Sequence, residues 1–240
     1  MIIKVTVNYI FHNCFVLTLP DRVLLFDYPS SNMLGREAKQ KVKSLIEGKK
    51  TYLFSSHSHG DHFELDFAQL GQPRFNTKFI FAREIESYLK PQSGQAVYLI
   101  DADDTLQLDD MEIHAFSSND LGVAFLINYA GTTIYFGGDL ANWDWEENSP
   151  QEAEFIKDIW EQTLQQLQAY RIDLAFSNAD ARLKNWSGAL EFIARVRPQW
   201  FVPMHTFGKP QVLKRFSRNL QSVDRVFLYE EVGDEWEIDI

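Results

Sequence analysis

The sequence predicts an α/β domain in which two β-sheets pack face to face with helices on the outside. Three observations carry that expectation. Strand-like and helix-like segments alternate over residues 2 to 100, a block of short strands broken by turns occupies residues 104 to 136, and helix-like and strand-like segments alternate again to the end. Each sheet and each helix has one apolar side to bury, and two facing sheets with outer helices are among the few layered arrangements that bury them all. No repeat at a fixed period, low-complexity tract or linker-like shift in composition interrupts the 240 residues, so a single domain spanning 1–240 is expected.

Taken in order, residues 2 to 7 alternate like a strand, and the apolar runs 14 to 19 and 22 to 28, split by Leu19-Pro20-Asp21, read as a β-hairpin. Ala38, Val42, Leu45 and Ile46 recur at helical spacing within 36 to 47, and Thr51 to Phe54 is a buried strand ending at Ser55-Ser56. A strand at 78 to 82, a short helix around 83 to 89 and a strand at Val97 to Ile100 follow. Thr105 to Leu108, Met111 to Phe116, Val123 to Tyr129 and Thr132 to Phe136 form the second sheet, separated by Asp-Asp and Ala-Gly turns. Phe155, Ile156, Ile159, Leu164 and Leu167 make a helical stripe over 150 to 169, with Pro150 at its start. A strand at Leu174 to Phe176, a helix at Ser187 to Val196, a strand at Trp200 to Pro203 and a strand pair near 225 to 229 and 235 to 239 complete the chain.

Composition narrows the function. The formal net charge is -11, from 23 Lys+Arg against 34 Asp+Glu, and that field repels nucleic acid and anionic lipid surfaces. The lone Cys14, between apolar neighbours, reads as an ordinary buried thiol and suits a reducing cytoplasm. The N-terminus lacks the pattern of a signal peptide, and no stretch reaches the roughly 20 apolar residues of a membrane span.

The chemistry is concentrated in His57-Ser58-His59-Gly60-Asp61-His62, directly after the buried strand at Thr51 to Phe54. Three of the chain's six histidines and a carboxylate lie within six residues. Neutral imidazole and carboxylate are the ligands that first-row divalent metals accept. In a chain that spends histidine so sparingly, this clustering reads as a metal site.

That run matches the HxHxDH signature of the metallo-β-lactamase superfamily. Gly137-Gly138-Asp139 after the Thr132 to Phe136 run resembles the superfamily's strand-end aspartate, and His205 in Val202-Pro203-Met204-His205 resembles its final histidine. Phe11-His12-Asn13-Cys14-Phe15 and Leu24-Leu25-Phe26-Asp27 are similar to the opening hairpin of the lactonase-like branch. The resemblance spans nearly the whole chain and implies a four-layer αβ/βα sandwich with metals at one edge, between the sheets. It implies one metal on His57 and His59 and another on Asp61, His62 and His205, with Asp139 bridging. It also implies zinc, one or two ions per chain, with manganese or iron as alternatives, and a metal-bound hydroxide as the nucleophile.

One position departs from the pattern. Where the superfamily supplies a third histidine to the first metal, between the Met111 to Phe116 strand and Asp139, this chain reads Ser117-Ser118-Asn119-Asp120. Asp120 is the obvious substitute, with Asn119 or water as alternatives; His114 falls too early, inside a strand. The loop resembles a Ser-Thr-Asp version found in a subgroup of the superfamily. A carboxylate in place of an imidazole shifts preference from zinc toward manganese or magnesium.

Other residues carry secondary expectations. Trp143 and Trp145 follow Asp139 closely enough to line the mouth of a site. Asp180 in Asn178-Ala179-Asp180-Ala181-Arg182 is a candidate to support the site or contact substrate, and Arg182 to bind an anionic substrate group, with an internal salt bridge as the plain alternative. His12 is a candidate for contacting substrate, and Asp27 for orienting a metal-bound histidine. The expected activity is hydrolysis of a small anionic ester, lactone or phosphodiester, with Asp61 and Asp139 as catalytic groups. A metal-binding sensor is the rival, and a nuclease is disfavoured by the charge and the lack of any basic run.

Overall fold

The computed structural model describes residues 2–71, 76–89 and 96–240. Its contacts divide the chain into two compact units, one formed by Ile2–Asp101 with Tyr229–Ile240 and the other by Ala102–Leu228.

The first unit is built on a seven-stranded sheet. Its strands are β1 (Lys4–Phe11), β2 (Cys14–Thr18), β3 (Val23–Phe26), β4 (Thr51–Ser55), β5 (Thr77–Ala82), β6 (Val97–Ile100) and β13 (Glu235–Asp239), in the order β13-β1-β2-β3-β4-β5-β6. The edge from β13 to β3 is antiparallel, and β3 to β6 run parallel. Every residue of β3 and β4 is buried, as expected for parallel strands covered on both faces. Helix α1 (Arg36–Ile46) lies on β1 and β2 and buries Ala38, Val42 and Ile46, one stripe at four-residue spacing. Phe63, Phe67, Phe79 and Phe81 pack edge to face beneath the histidine loop. The expected hairpin is therefore the second half of a three-stranded meander, because the first strand runs on to Phe11.

The second unit holds a six-stranded sheet of β7 (Thr105–Leu108), β8 (Met111–Ser117), β9 (Val123–Tyr129), β10 (Thr132–Phe136), β11 (Leu174–Asn178) and β12 (Trp200–Met204). The strands lie in the order β12-β11-β10-β9-β8-β7. β7 to β10 form an antiparallel meander, and β10, β11 and β12 run parallel. Helix α2 (Pro150–Leu167) opens with a capping box between Ser149 and Glu152 and a proline in its first turn. Helix α3 (Ala189–Val196) packs on α2 and β11, and a short α4 (Leu213–Phe216) follows β12.

Four expectations change in detail. The segment near 83 to 89 is a 3-10 helix, Arg83–Tyr88. Helix α3 starts at Ala189, because Ser187 and Gly188 have φ of 47° and 87° and no right-handed helix runs through them. Helix α2 buries Trp160, Thr163, Leu164 and Leu167, which leaves Phe155 54% exposed at the start of the presumed stripe. The strand pair at 225 to 229 and 235 to 239 does not form. Residues 225 to 227 make only an isolated bridge to Phe201, while β13 pairs with β1 and satisfies backbone groups that an open edge would leave to water. Among the described residues no helix is long and apolar enough to cross a membrane.

Candidate metal centre

In each sheet the chemistry-bearing residues sit just past strand ends. His12 follows β1, Asp27 follows β3, and His57 to His62 follow β4; Asp139 follows β10, Asp180 follows β11, and His205 follows β12. Register sets this arrangement. Phe26 pairs with Phe54, which brings Asp27 beside Ser56, and Asn178 pairs with Met204, which brings Asp180 beside His205. The carboxyl ends of parallel strands are where open α/β sheets place their ligand sites.

In the first unit, His12, Asp27, His57 and His62 are fully buried. Asp27 organises them. Its carboxylate accepts from the Ser56 N–H and the Ser56 hydroxyl, each at 2.7 Å, and from His62 Nδ1 at 2.7 Å. Because the Ser56 hydroxyl donates to Asp27, its oxygen is left to accept from His57 Nδ1 at 2.9 Å. Both histidines are thus fixed in the tautomer that presents Nε2 as a metal donor, the role carboxylates play behind metal-bound imidazoles. The loop is closed by Glu84, which accepts from the Ser58 N–H at 2.6 Å.

The donor atoms lie at ligand spacing. His57 Nε2 is 3.1 Å from His59 Nδ1, and Asp61 Oδ2 is 3.4 Å from His12 Nε2 and 3.8 Å from His62 Nε2. Two ligands of one tetrahedral ion at 2.0–2.1 Å stand about 3.3 Å apart, so these pairs suit shared cations. Burial opposes charge on Asp61, yet hydrogen bonding from His12 and the field of His62 and His12 hold its carboxyl well below the usual range. Burial pushes the Asp27 carboxyl up, with His62 and Ser56 working against it.

The second unit holds a histidine–carboxylate group of its own. His205 Nδ1 lies 2.9 Å from Asp180 Oδ2, and His205 Nε2 lies 3.6 Å from Asp139 Oδ2. Burial works against a charged imidazole, but Asp139 and Asp180 together raise the His205 pKa, so this pocket draws positive charge. Arg182 holds Asp180 in turn, with Nε and Nη2 both on the carboxylate. Asp180 is kept ionised against the cost of its burial by His205 and Arg182. Asp139 is positioned through its backbone: Trp143 Nε1 donates to its carbonyl at 2.8 Å, and the Asn178 amide donates to the carbonyls of Gly138 and Leu140.

A sequence profile described as the β-lactamase superfamily domain matches residues 6–205. This chain belongs to the β-lactamase superfamily. Solved structures give the same fold. Igni18, a metallo hydrolase from Ignicoccus hospitalis, superposes with a TM-score of 0.70 at 18% identity, covering 99% of each chain. The metallo-β-lactamase fold protein YhfI from Bacillus subtilis gives 0.67 at 17% identity, covering 98% of this chain and 99% of its own. CmlA, a diiron β-hydroxylase from Streptomyces venezuelae, gives 0.60 at 13% identity, covering 98% of this chain and 54% of its own. Comparison with curated proteins finds no match. The fold class is thus the α/β metallo-β-lactamase fold that the HxHxDH run implied.

Among the expected site residues of this superfamily member, His57, His59, Asp61 and His62 gather in the first unit, and Asp139 and His205 in the second. His12, expected at the substrate, is grouped with Asp61 and His62, its Nε2 lying 3.4 Å from Asp61 Oδ2. Asp180 faces His205, and its link to Arg182 is the internal salt bridge that the sequence left as the alternative. Trp143 is buried with Ala141 and Leu183 and lies 4.9 Å from the His205 ring, so it packs behind the histidine while Trp145 is half-buried above. Asn119 is withdrawn from the ligand candidates: its side chain donates to the Ala141 and Ile156 carbonyls and accepts from the Ala141 N–H, clamping the loop after Asp139. Asp120 is exposed beside it. His114 contacts Thr105 and Phe116, a packing role. Sequence reasoning missed Ser56 and Glu84, whose side chains carry no signal until the strand register brings them to the loop.

Proposed function

We propose that this chain is a metal-dependent hydrolase acting on a small anionic ester, lactone or phosphodiester. What carries the reading is the carboxylate behind each of two histidines, Asp27 on His62 and Asp180 on His205, an investment that packing alone does not require. In this reading His57, His59 and Asp120 would hold one divalent cation and Asp61, His62 and His205 a second, with Asp139 available as a further ligand. Zinc suits the imidazoles; manganese or iron suits the added carboxylate, and CmlA is a diiron member of the same fold. Bound cations would lower the pKa of a water toward neutrality and polarise the scissile carbonyl or phosphoryl oxygen. Asp61 would orient that water or accept its proton. Asp27, Ser56 and Asp180 keep the imidazoles in one tautomer.

Metal analysis of protein purified without chelator, followed by a panel of lactone, phosphodiester and thioester substrates, tests the proposal. His62→Ala is expected to lower metal content and turnover together; unchanged stoichiometry overturns the assignment. Asp120→Ala is expected to lose one cation first on dialysis and keep the other. Equal retention by wild type and Asp120→Ala removes Asp120 from the site.

A further inference from the structure

Beside His205 the second unit opens into a cleft of about 370 Å³ whose wall includes Arg182, Phe207 and Lys209. The chain reaches it through an unusual path. His205 and Phe207 have φ of 65° and 48°, Gly208 follows at 68°, and the Lys209 N–H closes the turn on the Thr206 carbonyl at 2.9 Å. Left-handed backbone at two non-glycine residues costs free energy, and its effect here is to turn the chain after β12 back so that Lys209 lies in the same cleft as the metal-binding histidine.

Arg182 is equally fixed. Its Nε and Nη2 are spent on Asp180, and its guanidinium lies 5.0 Å from the Trp145 ring and 4.7 Å from the Phe207 ring. Yet 55% of its side chain remains accessible, and Nη1 has no hydrogen bond among the described residues. An arginine immobilised on three sides with one donor edge open has little left to lose in ordering when it binds an anion. Asp180 and Asp139 both act on the charge of Arg182, and Lys209 adds a second cation to the cleft wall.

We propose that this cleft is the anion subsite of the enzyme: Arg182 through Nη1 and Lys209 through Nζ hold an oxyanion group of the substrate, whose apolar part lies over Phe207 with its scissile bond toward His205. The inference rests on the reading of the chain as a metal-dependent hydrolase and narrows its substrate to molecules with an oxyanion a short distance from the bond cleaved.

Titration calorimetry with inorganic phosphate tests it, on metal-loaded protein and after chelation, so that phosphate held by the cations is told apart from phosphate held by the side chains. Phosphate is expected to bind in both states. Lys209→Glu should weaken the chelated state by at least about tenfold, the loss of one charge-assisted hydrogen bond with like-charge repulsion added to it, and Arg182→Lys should weaken it while keeping the charge. Lys49→Glu, the same charge change in the other unit, should leave affinity as it was. Binding only when metal is present, or equal affinity in wild type and Lys209→Glu, or equal loss in Lys49→Glu, overturns the subsite. Metal content and turnover of neutral esters are read separately, so an enzyme that keeps both while ignoring Lys209 loses the subsite and keeps the function.

Discussion

His12, Asp27 and His205 share a property that packing would avoid. All three are non-glycine residues with positive φ, at 48°, 41° and 65°, a region that costs about 1–3 kcal/mol per residue when other forces do not hold it. Each is the first residue after its strand, and each carries a candidate metal donor or a carboxylate hydrogen-bonded to one. Asp27→Asn keeps the volume and one carbonyl oxygen but removes the charge that draws the His62 Nδ1 proton. Metal affinity is expected to fall by about 10- to 100-fold, read by competition with a chelating dye, while the melting curve of the chelated protein stays cooperative. An unchanged affinity would show that Asp27 is only a packing residue. The carboxylate's role was legible because Asp27 ends an apolar strand in the manner of the lactonase-like branch. That of His12 was not, since a lone histidine after a strand does not reveal that a hairpin turn will bury it against Asp61.

Between the elements, one glycine couples the Asp139 loop to α2 and α3. Gly188 has φ of 87°, and a Cβ there would meet the Trp160 ring at 2.7 Å and Asn142 Cβ at 2.9 Å. Gly188→Ala is expected to cost roughly 2–4 kcal/mol, the sum of a left-handed alanine and an overpacked contact, and to loosen the segment after Asp139 through Asn142. Chemical denaturation with Trp fluorescence checks this; a loss under 1 kcal/mol would mean that α2 shifts freely. The elements themselves were largely readable, because buried parallel strands and capped amphipathic helices are written in periodicity. What escaped was set by distant partners. Residues 225 to 229 look as strand-like as 235 to 239, and only the open edge of β1 decides which of them becomes a strand. Phe155 fits a helical stripe but falls a turn before the neighbours that bury Trp160.

At the scale of the whole molecule, ligand-bearing carboxylates accumulate in a chain already at -11. In the proposed reading Asp61 and Asp139 are both metal ligands, so removing metal leaves each carboxylate without a compensating charge. A cation that binds only the folded state stabilises it by RT ln(1 + [L]/Kd), about 4 kcal/mol at a thousandfold excess over Kd. Chelation is therefore expected to lower the melting temperature, with the larger effect at low salt, where screening is weakest. The decisive form of the measurement uses hydrogen exchange in the His205→Ala variant. A shared centre predicts that this change, made after β12, raises exchange in the loop 56 to 63 after β4 and abolishes the further rise that chelation causes there in wild type. Two independent half-sites predict that loop 56 to 63 keeps its metal-dependent protection when His205 is gone, and that outcome would end the proposal of a common metal centre while leaving each histidine–carboxylate pair as described.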